Sequence, residues 1–190
     1  MGQIWSQLEA FASEHALLHV VDPEPGVRQV SVYSSNMKYR YAFARTLSES
    51  TGVVLWVLLN PGTGDTELRP RPTLARMIAR SSSWGFGTLL VGNLFAARTK
   101  SAKHLRGKSE ITGPLNDVAL RFLAGNSGRS VAAWGNSGGL NGRSSEVEGM
   151  LSGAVCLGYT QRGEPKHPLY VPTSATFTQY ISKDRYGGTA

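Results

Sequence analysis

The alternation of apolar and polar residues changes character near residue 50. Before that point Ile4, Trp5, Leu8, Phe11, Ala12 and Leu18 recur near helical spacing. They predict an amphipathic helix over 3–19, ended by the Asp-Pro-Glu-Pro-Gly segment at 22–26. Val30 and Val32, then Tyr39, Tyr41 and Phe43, alternate with polar residues across a Ser-Ser-Asn turn. That is the pattern of a β-hairpin over 28–46. Beyond residue 50 the apolar positions run together, at 53–59, 88–92, 130–134 and 154–157. Short runs of this kind mark strands buried on both faces. Helical patterns at about 72–83, 113–124 and 144–151 separate them. Strand alternating with helix predicts parallel pairing through right-handed crossovers. The expected fold is a single α/β domain over 1–190, an open four-stranded parallel sheet flanked by helices. Its core spans 52–172, with the helix and hairpin of 1–50 added to it.

Composition narrows the classes of function. The chain has 190 residues, of which 41% are hydrophobic, enough for one buried core and unlike a disordered chain. No apolar run approaches the ~18 residues of a membrane span. The first residues lack the basic and apolar pattern of a secretory signal. The expectation is a cytoplasmic protein with no membrane partner. The single cysteine, Cys156, excludes an internal disulfide, a four-cysteine zinc site and an iron–sulfur cluster, and its apolar strand makes it core. His15 and His19 stand four apart on the predicted helix, but no third ligand accompanies them, and they read as a solvated face. No metal or cofactor is expected.

Charge adds a hint about partners. Lys and Arg number 20 against 13 Asp and Glu, a net charge of +7, although only 17% of residues are charged. Scarce acids produce this balance as much as abundant bases do, and it suits a phosphate-bearing partner. Arg98, Lys100, Lys103 and Arg106 crowd one loop at 95–110, and Lys166 stands in another. An ordinary solvated basic loop is the bland alternative.

In open α/β sheets a ligand lies outside the carboxyl ends of the strands. Asn60-Pro-Gly62 follows the first predicted strand, and Asp65 lies five residues after Asn60. Asn93 ends the second strand. Gly135-Asn136-Ser137-Gly-Gly139 follows the third, and a loop ending in His167-Pro-Leu-Tyr170 follows the fourth. Two asparagines, a histidine and exposed backbone suit a planar, amide-bearing ring, because Asn offers a donor and an acceptor together and His can donate to a carbonyl oxygen. Taken singly, Asn60 reads as a turn residue, Asp65 as a helix cap and Asp117 as a surface or capping group, while Asn93 reads equally as an ordinary loop residue.

At these residues the chain resembles the uracil-DNA glycosylase superfamily. Leu59-Asn-Pro-Gly62 is similar to its catalytic motif, closest to the mismatch-specific branch. The stretch 87–93 is similar to the strand that ends in a base-reading asparagine. Ala133-Trp-Gly135 and His167-Pro-Leu169 resemble later motifs, in the family's order, over about 52–172. The whole pattern looks like a bacterial and phage-associated branch linked to attack on modified phage DNA. Uracil-specific members carry Asp in place of Asn60, Ser in place of Leu169 and Tyr in place of Gly62.

The resemblance implies a monofunctional DNA glycosylase that acts as a monomer on double-stranded DNA, flips out a modified pyrimidine and leaves an abasic site. Asn60, His167 and Asp65 are the expected catalytic residues, and Gly62, Asn93, Asn136 and Ser137 the base-binding ones. Arg98, Lys100, Lys103, Arg106 and Lys166 face the DNA, and Leu169, Tyr170 or Val171 fills the gap left by the flipped base. Glycine at 62 leaves room for a bulky 5-substituent, such as the sugar on glucosylated hydroxymethylcytosine of phage DNA, whose hydroxyls Asn136 and Ser137 can meet. Antiphage defence would follow. Repair of uracil or mismatches, a non-catalytic nucleic-acid or modified-base binding module, and an α/β enzyme acting on free nucleosides or nucleotides are the alternatives.

Overall fold

The computed structural model describes residues 3–21, 26–63 and 72–182. Within them the chain forms α1 (Gln3–Glu14), β1 (Leu18–Val21), β2 (Gln29–Tyr33), β3 (Arg40–Thr46), β4 (Val53–Leu58), α2 (Pro72–Ser83), β5 (Thr88–Asn93), α3 (Asn116–Gly125), β6 (Arg129–Ala132), α4 (Arg143–Glu148), β7 (Val155–Cys156) and β8 (Thr178–Gln179). The strands make one sheet in the order β1-β2-β3-β5-β4-β6-β7-β8.

The apolar runs are all strands, and β5, β4, β6 and β7 stand side by side and parallel. The sheet is not the open four-stranded parallel sheet expected. It has eight strands and is mixed, with four antiparallel junctions against three parallel ones. The hairpin is an integral part of the sheet: Phe43 to Thr46 of β3 pair with Val91 to Thr88 of β5 and cover that strand's open edge. A strand buried on both faces still has two edges to satisfy, and apolar pattern alone does not say what pairs with them. The first helix is also shorter than its periodicity predicts. Ala16 takes a left-handed φ of 52°, Leu17 N–H bonds back to Ala12 O, and the next four residues pair with β2. His19 therefore lies on a strand, and His15 and His19 do not share a helix face.

Two clusters fill the faces. Side chains of α1, α3 and α4 pack on one side around Leu55, Leu90, Trp134 and the buried Cys156. On the other side α2 packs through Met77 against Trp56, Leu89 and Val91. Tyr39, Tyr41 and Phe43 are buried in this packing. Parity along each strand sorts the faces: Val54 and Trp56 point toward α2, Leu55 and Val57 away from it.

This arrangement makes a topological switch point between β4 and β6. The chain leaves β4 for α2 on one face and leaves β6 for α4 on the other, and β4 and β6 are neighbours. Adjacent parallel strands whose following helices lie on opposite faces mark the place, at their carboxyl ends, where open α/β sheets bind ligands.

Candidate active site at the carboxyl ends of the parallel strands

Register fixes which residues meet there. Asn93 is the in-register partner of Leu58, so Asn60 lies just beyond it on the adjoining strand end. Ala132 pairs with Val57, which sets Gly135 on the other flank of Asn60. Gly135 has a left-handed φ of 74°, and a Cβ there would stand 3.5 Å from the Cβ of His167. The Gly135 N–H donates to Pro165 O at 2.9 Å. Asn60, Asn93 and His167 therefore belong to three neighbouring segments of one rim.

Each is held differently. Pro61 biases the preceding Asn60 toward extended backbone. The Nδ2 of Asn60 donates to Thr99 Oγ1 at 2.9 Å and to Pro61 O at 3.0 Å, and among the described residues nothing donates to its Oδ1. Asn93 is only 2% exposed, and its Nδ2 has no hydrogen-bond partner among the described residues. A buried donor left unmade costs about 1–3 kcal/mol, and a ligand acceptor would recover that. Its neighbour Asn116, fully buried, donates to Asn93 O and Leu94 O and fixes the strand end.

His167 precedes the 3-10 turn Pro168–Tyr170. Its Nδ1 accepts from the Leu169 N–H at 3.4 Å, which places the ring proton on Nε2. Burial pushes the imidazole below its usual pKa, so near neutral pH the ring is an uncharged donor. The turn is anchored from α2: Arg80, 3% exposed, donates to Val171 O at 2.9 Å and to Pro172 O at 2.7 Å.

Several expected residues are placed as the sequence suggested, and others are not. Gly62 is half-buried at the rim, and Asp65 lies outside the described residues. Lys100, Lys103 and Arg106 are exposed, and Lys166 is half-buried beside the same loop as His167. Arg98 turns inward instead. Its guanidinium lies 5.0 Å from the Tyr33 ring centroid and donates to Met37 O, tying the basic loop to the hairpin. Leu169 and Tyr170 project from the turn, Tyr170 with 79% of its surface exposed, whereas Val171 is buried in the core and cannot enter a duplex. Asp117 pairs with the buried Arg143, whose Nε donates to Leu94 O. The Gly-rich loop leads into α4, which is only six residues long.

Two residues were missed by sequence reasoning. Arg80 is a charged residue on the buried face of α2, a signal readable from helical spacing. Glu164, 3% exposed, is the only acid between residues 149 and 183. Its Oε2 accepts from Trp134 Nε1 at 2.8 Å and its Oε1 from Ser144 Oγ at 3.2 Å. A Cβ on Gly138 would collide with Trp134 and with Oε2, so glycine is required for the loop to pass this pair. Glu164 lines a cavity of about 280 Å³ together with Arg106, Asn136, Ser137 and Arg162.

Fold and rim define a single-domain α/β protein whose sheet has its switch point between β4 and β6. The profile of the family described as "Protein of unknown function (DUF1643)" matches residues 40–169, well over half of the chain, and the chain belongs to that family. The matched span contains Asn60, Asn93, Glu164 and His167. No curated protein and no solved structure matches the chain. Among the described residues no helix is long and apolar enough to cross a membrane.

Proposed function

We propose that the protein is a monofunctional DNA glycosylase, related to the uracil-DNA glycosylases, that excises a pyrimidine bearing a bulky 5-substituent. One observation carries the reading: an acceptor on Asn60, a buried unpartnered donor on Asn93 and a neutral imidazole at His167 come together on one rim at the switch point of the sheet. A flipped pyrimidine needs that mixture, because its edge offers both donors and acceptors. The motif resemblance described above supplies the reaction class.

In this reading His167 Nε2–H donates to the base oxygen on which negative charge develops as the glycosidic bond breaks. Such a donor lowers the barrier because it binds more strongly in the transition state than in the substrate. Asn60 Oδ1 accepts a hydrogen of the attacking water and aims its oxygen at the sugar carbon. The new C1′–O bond forms as the C1′–N1 bond breaks, the bonding pair leaves with the base, and the water's proton passes to solvent or to the base. An amide cannot deprotonate the water, so the sugar must already carry much of its oxocarbenium charge when water adds. No lysine occupies the described strand ends at Asn60 or Asn93, and Lys166, next to His167, is the one lysine that adjoins a motif; the expected product is an abasic site in an intact strand. Leu169 and Tyr170 are exposed beside His167 and suit insertion into the vacated stack. An enzyme that removes a foreign base and spares host DNA would serve antiphage defence.

The test compares uracil-containing, unmodified and glucosylated hydroxymethylcytosine DNA, with hot alkali revealing abasic sites. Strand breaks are expected only after alkali and only with the modified DNA. Gly62→Tyr should abolish that excision by filling the space beside the 5-position. Release of uracil with the glucosylated DNA untouched would establish a repair enzyme instead. Binding to modified DNA with no abasic site from any substrate would establish a binding module.

A further inference from the structure

In the glycosylase reading Asn60 acts through one atom, Oδ1, so the way its amide faces decides whether it can act at all. The two ends of an amide differ in whether they donate or accept, and the surroundings choose between them. Three atoms meet one end of the Asn60 amide: Thr99 Oγ1 at 2.9 Å, Pro61 O at 3.0 Å and Thr99 O at 3.3 Å. We infer that Thr99 is the positioning residue for Asn60, turning Nδ2 into the loop and leaving Oδ1 as the atom offered to a ligand. The bearing of this on catalysis rests on the glycosylase reading.

The two carbonyls can only accept. The hydroxyl can donate or accept, but its one proton goes to Ser101 O at 3.1 Å, so toward Asn60 it accepts. Ser101 O is itself fixed. It also accepts from the His104 N–H at 3.0 Å, at the start of the 3-10 turn Ala102–Leu105, whose Leu105 is buried in the core. The Thr99 N–H donates to Pro61 O at 3.2 Å. Thr99, buried at the rim, therefore supplies the hydroxyl and one carbonyl and holds the other carbonyl in place. Reversing the amide would set Oδ1 against two carbonyl oxygens and strip Nδ2 of its acceptors, and a polar group that loses its partner away from water is costly. A carboxylate at position 60 would meet the same opposition, so these surroundings select an amide. The turn that fixes Ser101 O also carries Lys103, which makes the hydrogen bonds from Asn60 through Thr99 to Ser101 continuous with the basic loop.

The test uses Thr99→Val, which keeps the shape and removes the hydroxyl, and Thr99→Ser, which keeps the hydroxyl. Each is made in the full-length protein with Asn60 and with Asn60→Ala, and single-turnover excision from glucosylated hydroxymethylcytosine DNA is measured with the dissociation constant. Thr99→Val should slow excision ~10-fold with the dissociation constant within about twofold of wild type, and Thr99→Ser should stay within about threefold of the wild-type rate. In the Asn60→Ala background Thr99→Val should cost less than about twofold, because it acts through Asn60. An equal loss in both backgrounds, or no loss in either, overturns the positioning role and leaves the glycosylase standing. If Thr99→Val melts well below wild type, Thr99→Ala takes its place. A second readout needs no excision. The side-chain N–H resonances of Asn60, assigned by their loss in Asn60→Ala, should exchange with solvent roughly fivefold faster in Thr99→Val and at the wild-type rate in Thr99→Ser. Unchanged exchange in Thr99→Val overturns the inference. Faster exchange, with no abasic site from any DNA, would keep the hold of Thr99 on the amide and remove the glycosylase.

Discussion

At the scale of single residues, partial desolvation decides what His167 can do. A fully exposed imidazole is partly cationic near pH 6.5, whereas desolvation keeps the half-buried ring of His167 neutral to lower pH. The acid limb of the excision rate should therefore be centred below pH 6.5. An acid limb centred at or above 6.5 would contradict the assignment. The same shift acts on stability. Between the lowered folded pKa and the unfolded value near 6.5 the unfolded chain binds more protons. This contribution to stability is therefore complete above 6.5 and is lost as pH falls through the folded value. His167→Asn should remove that part of the dependence of Tm on pH. His167→Ala and Asn60→Ala should each slow excision by ~10²–10³, measured in single turnover so that product release does not mask the loss. Two variants at wild-type rate would remove both residues from the chemistry.

At the scale of elements, the 3-10 turn at Pro168–Tyr170 is placed by α2 rather than by its own three residues. Arg80 reaches from the last turn of α2 to two carbonyls just past the turn. Replacing it with Met fills the space and strips both acceptors of their donor. Hydrogen bonds to a charged group contribute about 1.5–3 kcal/mol, so a loss of about 2 kcal/mol and a fall in Tm of ~4–8 °C are expected at this chain length. Excision should fall with it, since His167 and the exposed Tyr170 are carried on that turn. A variant of lowered Tm whose kcat on the modified DNA is unchanged would show that the turn holds its place without α2. The hairpin has a comparable role, because Arg98 reaches from the basic loop to Tyr33 and Met37 and sets how Lys100 and Lys103 are presented.

At the scale of the whole molecule, a net charge of +7 concerns association rather than fold. With Arg98 committed to the hairpin, Lys100, Lys103, Arg106 and Lys166 are the basic groups available near the rim. If all four meet phosphates, the logarithm of the binding constant should fall against that of salt with a slope of about −3.6. Affinity for duplex DNA then drops ~100-fold between 50 and 200 mM salt. Replacing Lys100 and Lys103 together with Gln should make the slope shallower by about 2. Binding that ignores salt would place the positive charge away from the DNA.

The sequence by itself determined the strands of the parallel core and the helix Pro72–Ser83, because apolar periodicity reports which face of a local element is buried. It also put Asn60, Asn93 and His167 at strand ends, since loops must follow strands and a parallel sheet turns all those loops to one edge. Tertiary structure alone decided that β1 to β3 complete the sheet, that β8 closes its far side and that helix α1 stops short of β1. Pairing partners and chain reversals are settled by distant contacts that leave no local period. The same reason hid Arg80 and Glu164. Arg80 meets a carbonyl 91 residues away and Glu164 an indole 30 residues away. A buried charge becomes intelligible only when the group that satisfies it is in view.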